Sequence, residues 1–206
     1  MGRRTLIATM GFDERHVLPA LRLMPYDRLV VVAGRDTFRS AGFRRLKDLE
    51  PSLRFVVVRP FDLLDSLGTV RRTILDAAKE GPVRLSVSGG TKILVNAAIL
   101  AAFLEGIPAT YVHDDTYQEI PLPLLRITYG EGLTAKQREV LTFLVKNREK
   151  DFTETALARA LGVHKATMNH HLRELDAKGA IERLPDAKDA RKLVIKPASA
   201  MDLLVG

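Results

Sequence analysis

The chain of 206 residues contains no cysteine and no tryptophan. Without cysteine it has no disulfide framework and no thiolate that serves as a nucleophile or metal ligand. It also lacks an uninterrupted apolar run of about 18 residues, the length that a membrane-spanning helix requires. These absences predict a cytoplasmic protein that does not bind membranes.

Two motifs of nucleotide enzymes are also missing. The phosphate-binding pattern GxxxxGK[ST] does not occur, and neither does the dinucleotide pattern GxGxxG. We therefore expect neither an ATPase nor a dehydrogenase. We also expect no metal and no cofactor.

Acidic residues are fewer than basic ones, at 25 Asp and Glu against 32 Lys and Arg, so the formal net charge is +7. The excess is spread over the chain, with 18 basic against 14 acidic residues up to Gly130 and 14 against 11 after it. A basic excess favours anionic partners, among them nucleic acid. On its own it does not identify one.

Residues 1–130 alternate between strand-like and helix-like segments. Continuous Val, Leu and Ile runs indicate strands buried on both faces of a parallel sheet, and the alternation indicates a Rossmann-like α/β domain. The two prolines at positions 121 and 123 suit an antiparallel edge. The predicted strands are 4–10, 28–34, 53–59, 83–88 and 109–113, and the predicted helices are 14–24, 37–49, 61–81 and 91–104.

Two loops are predicted to flank a ligand crevice in this domain. In an open α/β sheet, ligands bind at the carboxyl ends of the strands, where the strand order reverses. With the order 3-2-1-4-5, that point lies between the first and fourth strands. The two loops there are Met10-Gly11-Phe12-Asp13-Glu14 and Ser88-Gly89-Gly90-Thr91-Lys92.

The second loop has the composition of an anion site. Two glycines let backbone N–H groups approach a ligand closely, and the following helix contributes the positive end of its dipole. Thr91 is a candidate cap and hydroxyl donor. Lys92 lies in the first helical turn, where the dipole disfavours a cation, and an anionic ligand would remove that conflict.

Residues 131–206 have a different pattern, with three helices followed by a hairpin. The segment ETALARALGVHKATMNHHLREL is similar to a helix-turn-helix, with Gly162 at the tight turn and Met168, Leu172 and Leu175 facing inward. The hairpin is predicted as a wing, so this part is similar to winged helix-turn-helix repressors. Candidate DNA contacts are Lys165, Thr167, Asn169, His170 and Arg173 on the recognition helix, and Lys188, Arg191 and Lys192 at the wing tip.

The segments TLIATMGFDERHVLPAL and SVSGGTKILVNAAILAAFLEG together resemble the CARF family, the CRISPR-associated Rossmann-fold sensors. With the winged helix, nearly the whole chain resembles the CARF transcriptional regulators. This resemblance implies a homodimer that binds cyclic oligoadenylate, most simply cyclic tetra-adenylate, on its two-fold axis. Carried over by position, the ligand-binding residues are Met10, Gly11, Phe12, Asp13, Ser88, Gly89, Gly90, Thr91 and Lys92.

The expected function is a CRISPR-associated transcriptional regulator that is not an enzyme, that binds double-stranded DNA at CRISPR-locus promoters and that responds to cyclic oligoadenylate. The expected domains are a sensing and dimerisation domain, residues 1–130, and a DNA-binding domain, residues 131–206. One alternative is a metal-independent ring nuclease, with His16 as acid or base. Another is a constitutive DNA-binding dimer without ligand control. The sequence does not determine the ring size, the operator or the sign of regulation.

Overall fold

The computed structural model describes residues 2–113, 115–122, 132–186, 192–198 and 201. The chain divides into two compact units, Met1–Thr128 and Tyr129–Gly206. This division lies two residues before the expected boundary at residue 130. In the described ranges no helix is long and apolar enough to cross a membrane.

The first unit contains a six-stranded sheet in the order β3-β2-β1-β4-β5-β6. The first five strands of the chain are parallel, and β6 pairs antiparallel with β5. The expected strand order and the antiparallel edge are therefore confirmed. The strands are β1 Thr5–Thr9, β2 Arg28–Gly34, β3 Arg54–Val58, β4 Val83–Ser86, β5 Ala109–Val112 and β6 Glu119–Pro121.

Four α-helices connect these strands: α1 Leu18–Leu23, α2 Ala41–Leu49, α3 Leu63–Ala78 and α4 Lys92–Glu105. The segment 14–24 was expected to be helical with Pro19 in an early turn or at a kink, and the position in an early turn is confirmed. The segment is divided into a short 3₁₀ turn, Glu14–His16, and α1, with Pro19 in the first turn of α1. Proline lacks an N–H and its ring clashes with the carbonyl four residues earlier, so it is tolerated in the first turn of a helix but kinks or breaks a helix in its interior.

The segment 37–49 is also divided. A 3₁₀ turn, Thr37–Arg39, ends at Ser40, whose hydroxyl accepts from the Phe43 N–H at 3.0 Å and caps α2. A capped start satisfies backbone donors that the first turn of a helix otherwise leaves free. The interruption brings the start of α2 under the loop that follows β1.

The core of the first unit surrounds the central strand, because every residue of β1 is buried. On one side, α3 and α4 pack closely through small residues, among them the fully buried Ala97, Ala98 and Ala101. An ion pair between Arg71 and Glu105 connects the two helices. The close packing fixes the amino end of α4 at the carboxyl edge of the sheet.

The second unit contains α5 Ala135–Lys146, α6 Glu154–Ala160 and α7 Lys165–Ala177, followed by the antiparallel hairpin of β7 Ile181–Pro185 and β8 Leu193–Pro197. Its core includes Leu141, Leu144, Leu157, Met168, Leu172 and Leu175. Gly162 has a φ of +61° at the turn between α6 and α7. A side chain in this left-handed conformation costs about 1–2 kcal/mol, which explains the glycine. The predicted helix-turn-helix and wing strands are confirmed.

Candidate functional site

The two loops singled out in the sequence lie against each other at the carboxyl edge of the sheet. A Cβ added to Gly11 would lie 3.4 Å from the backbone nitrogen of Gly90. A Cβ added to Gly89 would lie 3.0 Å from the Thr9 carbonyl oxygen. Gly90 has a φ of +109°, which favours glycine. Glycine at positions 89 and 90 therefore allows the backbone after β4 to approach the end of β1.

A cavity of about 780 Å³ opens beside the two loops. Its wall is formed by the residues after β1, the residues after β2, the residues after β3, and Gly90 with Thr91. The carboxyl ends of parallel strands lie on one edge, so these segments converge. The volume falls in the range of about 300–1,000 Å³ that is usual for small-molecule sites.

Two phenylalanines at this cavity are exposed. The Phe12 residue is 68% exposed and Phe61 is 81% exposed, and both line the cavity. Phe12 therefore has no role in core packing. Phe61 follows β3 and was not predicted as a ligand contact from the sequence. Its position just after a predicted parallel strand could have indicated it, because ligands bind at the carboxyl ends of such strands. Exposed aromatic rings at a cavity are suited to stack on planar ligands.

The charged groups of the cavity have both signs. Arg35 is exposed and, within the described ranges, has no ion-pair partner. Arg59 is paired with Asp62 at 3.3 Å and with Asp65 at 3.1 Å. Neither arginine was singled out in the sequence. Arg35 is the cation at this cavity that is available to an anionic ligand.

Asp13 carries a negative charge at the rim. The Arg15 side chain donates to its carboxylate, which lowers the pKa of Asp13 from 3.8 to about 2. The same carboxylate accepts from the Arg15 backbone N–H at 2.9 Å and caps the 3₁₀ turn. Asp13 therefore orders the loop that carries Phe12.

A second interaction supports this loop from below. Glu14 is buried, and its carboxylate accepts two hydrogen bonds from Arg45 of α2, at 2.5 and 2.8 Å. These bonds lower the pKa of Glu14. A Cβ added to Gly42 would lie only 2.2 Å from the Phe12 carbonyl oxygen. The absence of a side chain at Gly42 lets α2 pack directly under the loop.

The hydroxyls of two of the predicted ligand contacts make structural hydrogen bonds. The Ser88 hydroxyl accepts from the Val112 N–H at 2.8 Å, and Ser88 does not line the cavity. The Thr91 hydroxyl accepts from the Leu94 N–H, which caps α4, and donates to the Pro60 carbonyl. Both hydroxyls are engaged by backbone groups of neighbouring segments, an arrangement that only the folded chain can reveal.

The other predicted ligand contacts differ in whether they line the cavity. Met10 and Gly11 line the cavity, whereas Gly89 is buried behind it. Lys92 is the first residue of α4, is exposed, and does not line the cavity of the single chain. No described carboxylate pairs with its ammonium group. Within the described residues, Lys92 therefore presents an unpaired cation in the first turn of α4.

A second candidate surface lies on α7. Lys165, Thr167, His170 and Arg173 are exposed as expected, while Met168, Leu172 and Leu175 are buried. Asn169 is half-buried and donates from Nδ2 to the carboxylate of Glu154 at 2.7 Å. His170 lies 3.5 Å from Glu174. Glu154 had not been recognised in the sequence.

Of the predicted wing residues, Lys192 is exposed at the start of the second wing strand, whereas Lys188 and Arg191 lie outside the described residues. The sequence also gave no sign of Arg183, which lies on β7. Its Nε is 3.0 Å from Asp176, and it borders a shallow depression with Arg173 and Asn169. The described acidic and histidine residues form no group that would hold a metal ion.

A family model described as the Csa3 CRISPR-associated Rossmann-like domain matches residues 4–123. The chain belongs to this family. The model covers the sheet, both loops and the cavity, so the resemblance to CRISPR-associated Rossmann-fold regulators is confirmed. A second model, for the MarR family, matches residues 131–192, which contain α5 to α7 and β7 but end just before β8.

The solved structures similar to this chain include MarR-family proteins, each covering about a third of it. The S. aureus MepR–DNA complex is 29% identical over 35% of this chain and 59% of that one, with a TM-score of 0.33. The reduced form of MarR from E. coli is 26% identical over 37% and 54%, with a TM-score of 0.35. The chain thus spans little more than half the length of these structures. No curated protein matched.

The two family matches together indicate what kind of protein this is. A Csa3-type Rossmann-like domain joined to a MarR-type winged helix is the domain combination of a CRISPR-associated, DNA-binding transcription regulator. The exposed basic side chains of α7 are the groups that this function requires at phosphates and base edges.

Proposed function

We propose that the Csa3-type domain binds cyclic tetra-adenylate as a homodimer and thereby controls DNA binding at CRISPR-locus promoters. The observation that carries this proposal is the cavity beside the two loops, with two exposed phenylalanines and an unpaired arginine at its wall. Aromatic rings and cations are what a ligand made of adenine bases and phosphodiesters requires.

The adenine bases supply the first part of the match. Stacking of a base on an aromatic side chain contributes about 1–3 kcal/mol. Phe12 and Phe61 lie on different loops of the same cavity, so an adenine that enters it meets at least one aromatic face. These two rings are the part of the wall that favours a planar heterocycle over a sugar or a free phosphate.

The phosphodiesters supply the second part. Gly90 brings backbone close to the ligand site, and α4 begins immediately afterwards with its positive dipole end. Lys92, the first residue of α4, and Arg35, at the wall of the cavity, are exposed cations available to phosphates. A ring whose phosphates lie along the Gly90–Lys92 turn would place its bases toward the cavity.

A second copy of the chain completes the site in this proposal. The sequence of α4, KILVNAAILAAFLE, is apolar almost all round, which is typical of a helix covered on every side. Yet Ile93 and Leu100, two turns apart on one face, are 37% and 44% exposed. An isologous contact through this face would bring two cavities and two Lys92 side chains to one two-fold axis. A cyclic tetra-adenylate ring has matching symmetry.

Ligand binding would act on DNA through the spacing of the two α7 helices in the dimer. Half-sites about 34–36 Å apart, or multiples of this, tolerate few spacings. A ligand shifts such an equilibrium only if it binds one arrangement more tightly than the other. The proposed control therefore requires a difference in DNA affinity between the free and the bound dimer.

Isothermal titration with cyclic tetra-adenylate tests the binding site. We expect one ring per dimer, and a loss of about 5- to 150-fold in affinity for Phe61→Ala, from the stacking contribution. Lys92→Ala should weaken binding and reduce its salt dependence. Leu49→Ala removes an apolar side chain that is 62% exposed and lies outside the cavity, and it serves as the control. Absence of heat with the wild type would refute the ligand.

The same samples test the alternative function, a ring nuclease. His16 lines the cavity, so it is the group to follow. After prolonged incubation with the protein, we expect the ring to be recovered intact by chromatography. Linear products that disappear in His16→Ala would show cleavage and contradict a pure sensor.

A further inference from the structure

The recognition helix carries one residue whose orientation is fixed by a neighbouring helix. Asn169 of α7 donates from Nδ2 to Glu154 Oε2 at 2.7 Å, and Glu154 is the first residue of α6. Both side chains are half-buried. We infer that Glu154 positions Asn169 as an adenine-reading residue of the DNA site. Glu154 is thus a positioning residue that sets operator specificity.

The chemistry of the pair determines which way the amide points. An ionised carboxylate only accepts hydrogen bonds, so the atom of Asn169 that faces Glu154 must be the amide nitrogen. The amide oxygen, Oδ1, is left on the opposite side. Nδ2 carries two hydrogens, and Glu154 takes one of them. What remains for a base is one acceptor and one donor in fixed order.

This remaining pair matches one base edge in the major groove. Adenine presents N7 as an acceptor and its N6 amino group as a donor, and an asparagine amide bonds both at once. Guanine presents acceptors at both N7 and O6, so Oδ1 would face a second acceptor. If the amide were flipped, its donor and acceptor would exchange places and would no longer match the N7 and N6 groups of an adenine at the same position. Fixing the amide therefore selects adenine at one position of each half-site.

The location of Glu154 suits this role. It follows Thr153, the capping residue of α6, and a negative charge in the first turn of a helix is favoured by the dipole. Glu154 lies on a helix rather than on a loop, so the position of its carboxylate is set by α6. Removal of the Glu154 carboxylate leaves the amide free to rotate about its last torsion, which has two nearly equivalent orientations.

The neighbours of Asn169 on α7 differ from it. Arg173 is exposed, which suits a phosphate contact, and the His170 ring lies 3.5 Å from Glu174 on the same helix. Arg183 pairs with Asp176 of α7 itself. Among these described groups, Asn169 alone has a neutral amide held by a residue of another helix. It is the one whose donor and acceptor order is set by the fold.

A selection experiment on the full chain tests the inference. Wild-type protein is used to enrich binding sequences from a randomised double-stranded DNA library, which yields the operator. Fluorescence anisotropy then gives the affinity for the operator and for duplexes with each A·T pair replaced. For the wild type we expect a loss of about tenfold or more at one A·T position of the half-site. Asn169→Ala should abolish this loss at that position only.

Two further variants separate positioning from folding. Glu154→Gln keeps the size of the side chain, but its amide can offer Asn169 either an acceptor or a donor and so no longer fixes the orientation of the Asn169 amide. The preference for adenine should therefore fall, while the affinity for duplexes of unrelated sequence stays the same. Arg173→Ala should instead lower the affinity for every duplex evenly and reduce the salt dependence. The discrimination ratio is a readout that a structural role of Glu154 would not change.

Several outcomes would overturn the inference. If Asn169→Ala retains the wild-type base preference at every position, Asn169 reads no base. If Glu154→Gln loses affinity equally for all duplexes and melts at a lower temperature, Glu154 only stabilises the fold. If the wild type enriches no sequence at all, the DNA-binding function fails together with the inference, a result distinct from the first two.

Discussion

Gly42→Ala is the substitution that most sharply tests how the ligand loop is supported. The new Cβ would lie 2.2 Å from the Phe12 carbonyl oxygen, 2.8 Å from the Glu14 carboxylate and 3.1 Å from the Glu14 backbone nitrogen. Two of these three neighbours are backbone atoms, which cannot move aside by a change of rotamer. Either α2 or the loop after β1 must therefore shift.

The cost follows from opposing contributions. Inserting a methyl group into a packed site costs about 1–3 kcal/mol, and contact with backbone points to the upper end. The Glu14–Arg45 pair is partly exposed at Arg45, so weakening it adds at most about 1 kcal/mol. Alanine regains at most about 1 kcal/mol of helix propensity. We expect net destabilisation of about 2–3 kcal/mol, which for a unit of this size lowers the melting temperature by about 6–15 °C.

Differential scanning calorimetry measures this change, and titration calorimetry shows whether ligand affinity falls with it. Gly11→Ala is the matched control for stability, because its Cβ would make an ordinary contact of 3.4 Å with Gly90. A melting temperature unchanged in Gly42→Ala, or lowered equally in both variants, would refute the close packing of α2 under the loop.

Three further results are expected. Ser88→Ala leaves the Val112 N–H without its acceptor, so denaturant unfolding should show a loss of about 1–3 kcal/mol, and unaltered stability would contradict the structural role of the hydroxyl. Gly162→Ala meets open space but forces a Cβ into a φ of +61°, so the C-terminal unit should lose about 1–2 kcal/mol, and an equal melting temperature would argue against the turn. The pKa of Asp13 is about 2 in the folded chain against 3.8 ordinarily. The Arg15 interaction therefore stabilises the loop fully above about pH 4 and is lost as the pH falls toward 2; Asp13→Asn should flatten this part of the pH–stability curve.

Much of the fold could be predicted because burial leaves a plain pattern. The run RLVVVAG has apolar residues without alternation, as a strand buried on both faces requires, and it coincides with β2. The helix at residues 91–104 was placed to within one residue, since Thr91 caps it. The structure of segment 14–24 was harder to predict, because its apolar periodicity continues through Pro19, whereas the backbone is divided into a 3₁₀ turn and α1.

The candidate site could be predicted only in part. Glycines at positions 89 and 90 predict that the backbone there lies close to another group, and the predicted strand order places Met10 to Asp13 beside them. Phe61 and Arg35 carry no motif, so they are found only by asking which residues follow each parallel strand. The engagement of the Ser88 hydroxyl with β5 depends on a neighbour 24 residues away, which no local pattern reveals.

The most direct test of ligand control is the affinity for the selected operator with and without saturating cyclic tetra-adenylate. Anisotropy with wild-type protein and with Phe61→Ala gives four dissociation constants under one salt concentration. We predict that ligand changes the dissociation constant of the wild type and leaves that of Phe61→Ala much less affected at the same ligand concentration. Equal DNA affinity of the wild type with and without bound ligand would contradict the account.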